Sequence, residues 1–394
     1  MKIDSLPTIE AFAEIEMLED VISSCVLGNS RFAVGTIDGK LQIFEIDNLL
    51  QYADFDSAII SIIESSEKVI AASTTGQIKS LNESPSWQYE IQSGIEHMIS
   101  LGDTICISDT SGSIIFLNSK GDKQRTQSHG DVDRLANSVD GGYFAIAKTD
   151  GTLLLSSKSG EILQESFADP EDVETISQIC FRPDGILLAC RDSLGMTLDE
   201  RPENRLECWH PRRGLLHTTE LPAMATSILA TEDGAIVGCQ NGAILRFRIG
   251  KEVEELLIVD NSVSSIIQWE EDLIIGTWFN AMRISSSGEI IWSYEHDGLV
   301  TEILEISSDL ITVIGRSPAG QNPASVVLLQ PNSTPVMPED ESFVYEFSKD
   351  ASNEFAGGLS DEEIAKAEAP PLPSSETNEL MDALGEELDY IEEE

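Results

Sequence analysis

Five histidines and six cysteines are the side chains with the widest chemical reach in this chain, and their spacing points away from catalysis. His97, His129, His210, His217 and His296 form no pattern of the zinc-binding kind, and only His210 and His217 lie close in sequence. The cysteines (Cys25, Cys106, Cys180, Cys190, Cys208 and Cys239) include no Cys-x-x-Cys pair, and most sit inside apolar runs. Buried free thiols acting as small hydrophobes in a reducing, cytoplasmic compartment are the expectation. No catalytic, metal-binding or cofactor-binding residue is assigned, and no cofactor is expected. Of the tryptophans, Trp87 and Trp292 fall at the start of outer strands, where packing against a neighbouring unit is favoured over stacking on a ligand.

Arginine is distributed unevenly. Arg182, Arg191, Arg201, Arg205, Arg212 and Arg213 are six of the thirteen in the chain, and five of them fall in RDSLGMTLDERPENRLECWHPRRG (191–214). Acids within that segment bring it close to neutral, and in a chain of net charge −46 that is a local minimum of negative potential. Arg191, Arg201, Arg205, Arg212 and Arg213 are therefore a candidate docking site for an acidic partner, through the fork geometry of the guanidinium. The alternative is a surface loop crosslinked by its own arginine–carboxylate pairs.

The elements that position these residues emerge from an internal repeat. FAVGTIDGKLQIF (32–44) reads as strand, turn at Asp38-Gly39, strand; IAASTTGQIKSL (70–81), ICISDTSGSIIFL (105–117), FAIAKTDGTLLL (144–155) and AIVGCQNGAILRF (235–247) repeat it. The turn glycines Gly39, Gly76, Gly112 and Gly151 are spaced 37, 36 and 39 residues apart, and the 91 residues to Gly242 hold two units. Tight hairpins need a residue that tolerates φ > 0, which explains glycine there. One apolar strand precedes each pair and another follows a second turn. Four antiparallel strands per roughly 40 residues is the signature of a propeller blade.

Units begin near 21, 57, 94, 131, 173, 224, 262 and 299, which predicts an all-β closed propeller of about eight four-stranded blades, with seven as the alternative. The last unit lacks a fourth strand, and IEAFAEIEML (9–18) is a strand without a unit. Pairing the two over residues 1–331 would close the ring and remove two exposed edges.

These repeats resemble those of the WD40 and quinoprotein-type (PQQ-like) propellers. ISQICFRPDGILLA (176–189) and LANSVDGGYFAIAKTDGTLLL (135–155) resemble WD40 blades, and ISSSGEIIWSYEHDG (284–298) resembles the PQQ-like repeat with its Gly-Glu-x-x-Trp turn. The likeness covers about residues 9–331 and implies the fold more than any function. It departs from both families at their signatures. No blade carries the Gly-His…Trp-Asp pair, and no carboxylate and asparagine cluster stands ready to hold calcium beside a quinone. His296 with Asp297, and His129 with Asp131, are candidates for a WD40-like His–Asp contact in a loop.

Residues 332–394 change character, with nineteen acids against Lys349 and Lys366. Such a segment is expected to be disordered when free. A capping box at Ser360–Glu363 opens a short helical motif over 361–368, and a second motif over 377–391 aligns Leu380, Leu384, Leu388 and Ile391 as one apolar stripe.

The whole chain carries 70 acids against 24 bases, so nucleic acid and anionic membrane surfaces are not expected partners. No stretch is apolar for long enough to span a membrane, and the N-terminus does not read as a signal peptide. The function expected is a monomeric, non-enzymatic protein-interaction scaffold whose tail recruits an unidentified protein partner or docks on its own propeller. The alternatives are an enzyme or small-ligand binder at the central channel, and a chaperone-like acidic binder of basic proteins.

Overall fold

The computed structural model describes residues 6–81, 86–169, 173–193, 202–318 and 323–337. All belong to one compact unit, Met1–Pro338. The two helical motifs and the Leu380, Leu384, Leu388 and Ile391 stripe lie outside the described residues, as does Arg201.

Among the described residues the chain folds into eight antiparallel sheets of four strands each. The first strands of blades 1 to 8 are Val21–Leu27, Ile59–Ser65, Ile95–Leu101, Val132–Asn137, Glu174–Phe181, Ala225–Ala230, Val263–Trp269 and Leu299–Ser307. Each starts within two residues of a repeat unit. Each packs against the first strands on either side, and Leu299–Ser307 closes back on Val21–Leu27. The eight-bladed reading holds, because these strands line a closed central channel.

Blade 8 takes its outermost strand from the beginning of the chain. Ala13–Ile15 pairs antiparallel with Val326–Leu329, with Ala13 opposite Leu328 and Ile15 opposite Val326. Ile9 is buried among Trp292, Val300, Val327 and Leu329, so the N-terminal segment fills the core between blades 7 and 8. The folded unit runs past residue 331. Thr8 bridges both Val336 and Ser293, which covers the outer edge of blade 7 with the two ends of the folded chain.

The turn glycines have a second reason for their identity. Gly76 has φ +105°, and a Cβ there would stand 1.8 Å from the Ile91 carbonyl oxygen. The loop that enters blade 3 lies directly on that turn, and Ile91 N donates to Gly76 O at 2.9 Å. Gly39, Gly112 and Gly242 receive the corresponding bond from Phe55, His129 and Val259. The repeat glycine thus allows the turn and also the approach of the next blade.

Because each blade is an antiparallel meander, its turns fall on two faces. The turns between second and third strands share one face with the loops that enter each blade. This loop face also carries the neck of the 191–214 insertion.

Candidate functional site

The channel wall departs from regular pairing at the same place in every blade. Register shifts between the first and second strands fall at Val21/Ser23, Ile59/Ser61, Ile95/His97, Val132/Arg134, Ile176/Gln178, Ala225/Ser227, Val263/Ser265 and Val300/Glu302. A bulge of this kind turns a side chain out of the alternation, and here it aims polar groups at the neighbouring blade. Ser23 Oγ donates to Ile59 O at 2.5 Å and Ser61 Oγ to Met98 O at 3.2 Å. The His97 ring meets the Asp133 backbone. Arg134 Nε donates to Ile176 O at 3.3 Å and Gln178 Nε2 to Thr226 O at 3.0 Å. Ser227 Oγ donates to Val263 O at 2.9 Å, Ser264 Oγ to Val300 O at 2.7 Å, and Ser24 Oγ to the Glu302 carboxylate. All eight blade junctions are stitched by this belt.

The channel chemistry is lopsided. One cavity of about 390 Å³ is lined by Ser23, Thr226, Ser227, Ser264, Ser265 and Glu302 among others, so hydroxyls dominate that side. A second, of about 440 Å³, meets Asp133, Arg134, Lys148 and Gln178. The charged groups there are engaged with neighbours: Arg134 with Asp133 at 3.4 Å, Lys148 with Asp150 at 3.0 Å. Burial pushes the His97 imidazole below its ordinary value, which keeps it neutral at pH 7. Glu96 is raised by its burial and by Asp131, Asp109 and Asp133 nearby. Among the described residues no three His, Cys, Asp or Glu side chains are grouped so as to hold a metal ion.

Glu302 is the one carboxylate in the belt. Burial pushes its carboxyl above the ordinary value, and only the Ser24 hydrogen bond opposes this. Cys25, itself raised to about 11 by burial, lies within the electrostatic reach of both Glu64 and Glu302. With the folded value raised, stability from this group is present below the ordinary carboxyl pKa and is lost as pH rises through the folded value. Glu302→Gln keeps an acceptor for Ser24 without the charge. Its gain in melting temperature over the parent should be absent near about pH 4 and grow toward about pH 8. A gain of constant size across that range would mean that charge is not the cause.

The arginines of 191–214 do not form one surface. Arg191 and Arg205 are register partners at the neck of the insertion, and both are buried with Glu174 and Glu207. Arg191 Nη1 lies 3.4 Å from Glu174 Oε2 and its Nε 3.3 Å from Glu207 Oε1. Arg205 Nη2 lies 2.5 Å from Glu174 Oε1 and its Nε 2.9 Å from Glu207 Oε1. The expectation that Arg191 and Arg205 meet a partner is corrected by this burial: their forks are consumed inside the protein. Arg212 and Arg213 are exposed, but in the turn at the far end of the strand Asn204–His210, on the opposite face. At about 3.3 Å per residue the strand separates the two groups by roughly 20 Å.

The remaining singled-out residues have structural roles. Trp87 Nε1 donates to Ser119 O at 3.1 Å, and Trp292 Nε1 to Pro331 O at 2.9 Å, so both tie adjacent blades. His210 Nδ1 accepts from Arg212 N at 3.0 Å, and His217 stacks on Phe247 with ring centroids 5.7 Å apart. Buried His296 has Nδ1 3.2 Å from Asp297 Oδ1 and accepts from Gly298 N at 2.9 Å. All six cysteines are free, and burial raises each thiol.

One residue of the loop face was not foreseen. Trp278, with Phe279, forms the second turn of blade 7, between Asp272–Thr277 and Asn280–Ile284. It is 55% exposed and has φ +34°. The signal was available: the fragment GTWFNA (276–281) has Trp-Phe where five other units carry a turn glycine.

No protein-family description and no curated protein matches the chain. Solved structures do. Sqt1 of Chaetomium thermophilum, bound to the N-terminus of the ribosomal protein L10, superposes with TM-score 0.65 at 12% identity, covering 81% of this chain and 99% of its own. BamB from Moraxella catarrhalis gives 0.58 at 14% identity, covering 81% and 100%. The C-terminal WD40 domain of Sif2 gives 0.63 at 13% identity, covering 83% and 99%. The chain therefore has the β-propeller fold that WD40 proteins and BamB share, in an eight-bladed form.

Proposed function

We propose that this chain is a non-enzymatic interaction scaffold that receives partners on its loop face. The observation that carries the reading is the placement of exposed large apolar side chains. Among exposed large apolar side chains outside the strands, Leu18, Ile37, Phe167, Val173 and Trp278 lie in turns and loops of that face, Val139 and Ile249 on the other, and Phe12, Val336 and Met337 in the two terminal segments. Exposed aromatic and aliphatic groups held on a rigid frame are what interface anchors require, and the polar belt supplies the rigidity. The neighbour Sqt1, held to the end of another protein in its crystal, supports the same use of the fold. The proposal includes a monomer in a reducing, cytoplasmic compartment, in keeping with six free cysteines. It also assigns residues 338–394 a recognition role through Leu380, Leu384, Leu388 and Ile391.

Affinity capture from native lysate tests this with three proteins: the full chain, a variant with the five apolar tips changed to serine, and one ending at residue 337. The full chain should enrich partners that the serine variant loses, and the shortened chain should lose a separate set. If the full chain enriches nothing over a bare matrix, the scaffold reading fails.

A further inference from the structure

We infer that a pocket between blades 7 and 8, walled by Trp278 and Phe279, takes an arginine- or lysine-bearing extended segment of a partner protein. The inference rests on the scaffold reading and names the chemistry of the partner.

The pocket encloses about 470 Å³ on the loop face, lined by Ser262, Ser264, Trp278, Phe279, Leu299, Val300 and Pro318. Ser264 also lines the channel cavity, so the pocket opens at the channel rim. Its walls are largely apolar, which suits the methylene stem of a long side chain. Its surroundings carry acid. Asp260 and Asp297 are exposed two residues before the lining Ser262 and Leu299, and Asp20 accepts from Ser317 N at 3.1 Å beside Pro318. Arg316, exposed at the end of the strand Leu310–Arg316, is a cation two residues from the lining Pro318. Similar aspartates stand in the loops entering other blades, at Asp56, Asp131 and Asp169, so a basic segment leaving the pocket meets negative charge along the face. The first 331 residues alone hold 51 acids against 22 bases. An exposed tryptophan face with carboxylates beyond it is the arrangement that attracts a guanidinium or ammonium group.

Trp278 is also held in place. Its carbonyl accepts from Val300 N, and Phe279 O accepts from His296 N at 2.6 Å. His296 is buried against Gly315 and fixes Gly298. A tryptophan kept at positive φ by its neighbours sits in a backbone conformation that side chains rarely adopt. An anchor fixed before binding loses less entropy when the partner arrives.

The test uses a fluorescein-labelled Gly/Ser peptide with alternating arginines, and matched peptides with glutamate or leucine in place of arginine, read by anisotropy. The arginine peptide should bind the full chain and the glutamate peptide should not. Trp278→Gly suits the backbone angle, so its melting temperature should hold or rise while affinity falls about tenfold or more. Trp278→Phe should recover part of the loss. Asp260→Asn with Asp297→Asn should weaken binding and flatten its salt dependence. Equal affinity of the parent and Trp278→Gly, or preference for the leucine peptide, overturns the inference. If lysate partners are nonetheless lost with the serine variant, the scaffold reading stands and only the basic partner falls.

Discussion

Glu174→Gln is expected to lower the unfolding free energy by about 3–5 kcal/mol, because it leaves a buried arginine without its counter-charge. Arg191, Arg205, Glu174 and Glu207 alternate in sign, and no side chain among them is more than 8% exposed. The two arginines face each other across paired strands, a like-charge juxtaposition that destabilises a sheet unless it is neutralised. Glu174 and Glu207 provide that neutralisation, and further bonds add to the site, among them Arg191 Nη1 to Gly151 O at 2.6 Å and Trp209 Nε1 to Glu207 Oε2 at 3.0 Å. Removing one carboxylate exposes the repulsion and strands a charge. Removing Glu174 and Arg205 together (Glu174→Gln with Arg205→Met) retains the neutral Arg191–Glu207 pair. The double variant should therefore lose much less than the sum of the single losses, with a coupling of about 1–3 kcal/mol. Urea unfolding at low and high salt measures this. Additive losses, or losses that salt abolishes, would show an exposed set of charges rather than a closed network.

This quartet also shows where reading the sequence stopped. The cluster of arginines in 191–214 was visible, and so was the option that carboxylates would neutralise it. That Glu174 would be one of the partners was not, since it comes from the first strand of the blade and meets Arg205 only through the register of two intervening pairings. Burial of these arginines depends on that register, which composition cannot reveal. The propeller itself was legible, because the turn glycines are demanded by φ and by the approach of the next blade, and the demand recurs with the repeat. The belt was hidden for the opposite reason. Its bulges fall at one place in all eight blades, yet the residues that carry the bonds are Ser23, Ser61, His97, Arg134, Gln178, Ser227, Ser264 and Glu302, which have no common side chain. Backbone geometry is shared there and chemistry is not. Trp278 lies between these cases: it is visible as the turn where glycine is missing, but only once the repeat is aligned.

Trp292→Ala is expected to cost about 3–5 kcal/mol, through loss of a large buried side chain and the cavity that follows. Trp292 is fully buried between blades 7 and 8, and its indole holds Pro331 O, which also accepts from Arg283 Nη1 at 2.9 Å. The next residue, Asn332, accepts from Arg283 at 2.6 Å and from Trp269 at 3.4 Å. Blade 7 thus grips the chain just after the last strand, and four residues later Val336 pairs with Thr8. The N-terminal segment then runs to Ala13–Ile15, the strand that completes blade 8. Loosening the grip should consequently loosen the closure. Trp292→Phe, which keeps most of the packing and drops one hydrogen bond, should cost about 1 kcal/mol plus the smaller ring's lost contacts. Hydrogen exchange separates local from global damage. In Trp292→Ala, protection should fall first at Phe12 to Ile15 and their partners Val326–Leu328, ahead of the amides of blades 3 and 4. Loss that is uniform around the ring, or that begins in blades 3 and 4, would mean that the ring does not open where its two ends meet. An opening confined to blades 7 and 8 would place the weakest junction of the propeller beside the Trp278 pocket, whose walls come from the same two blades.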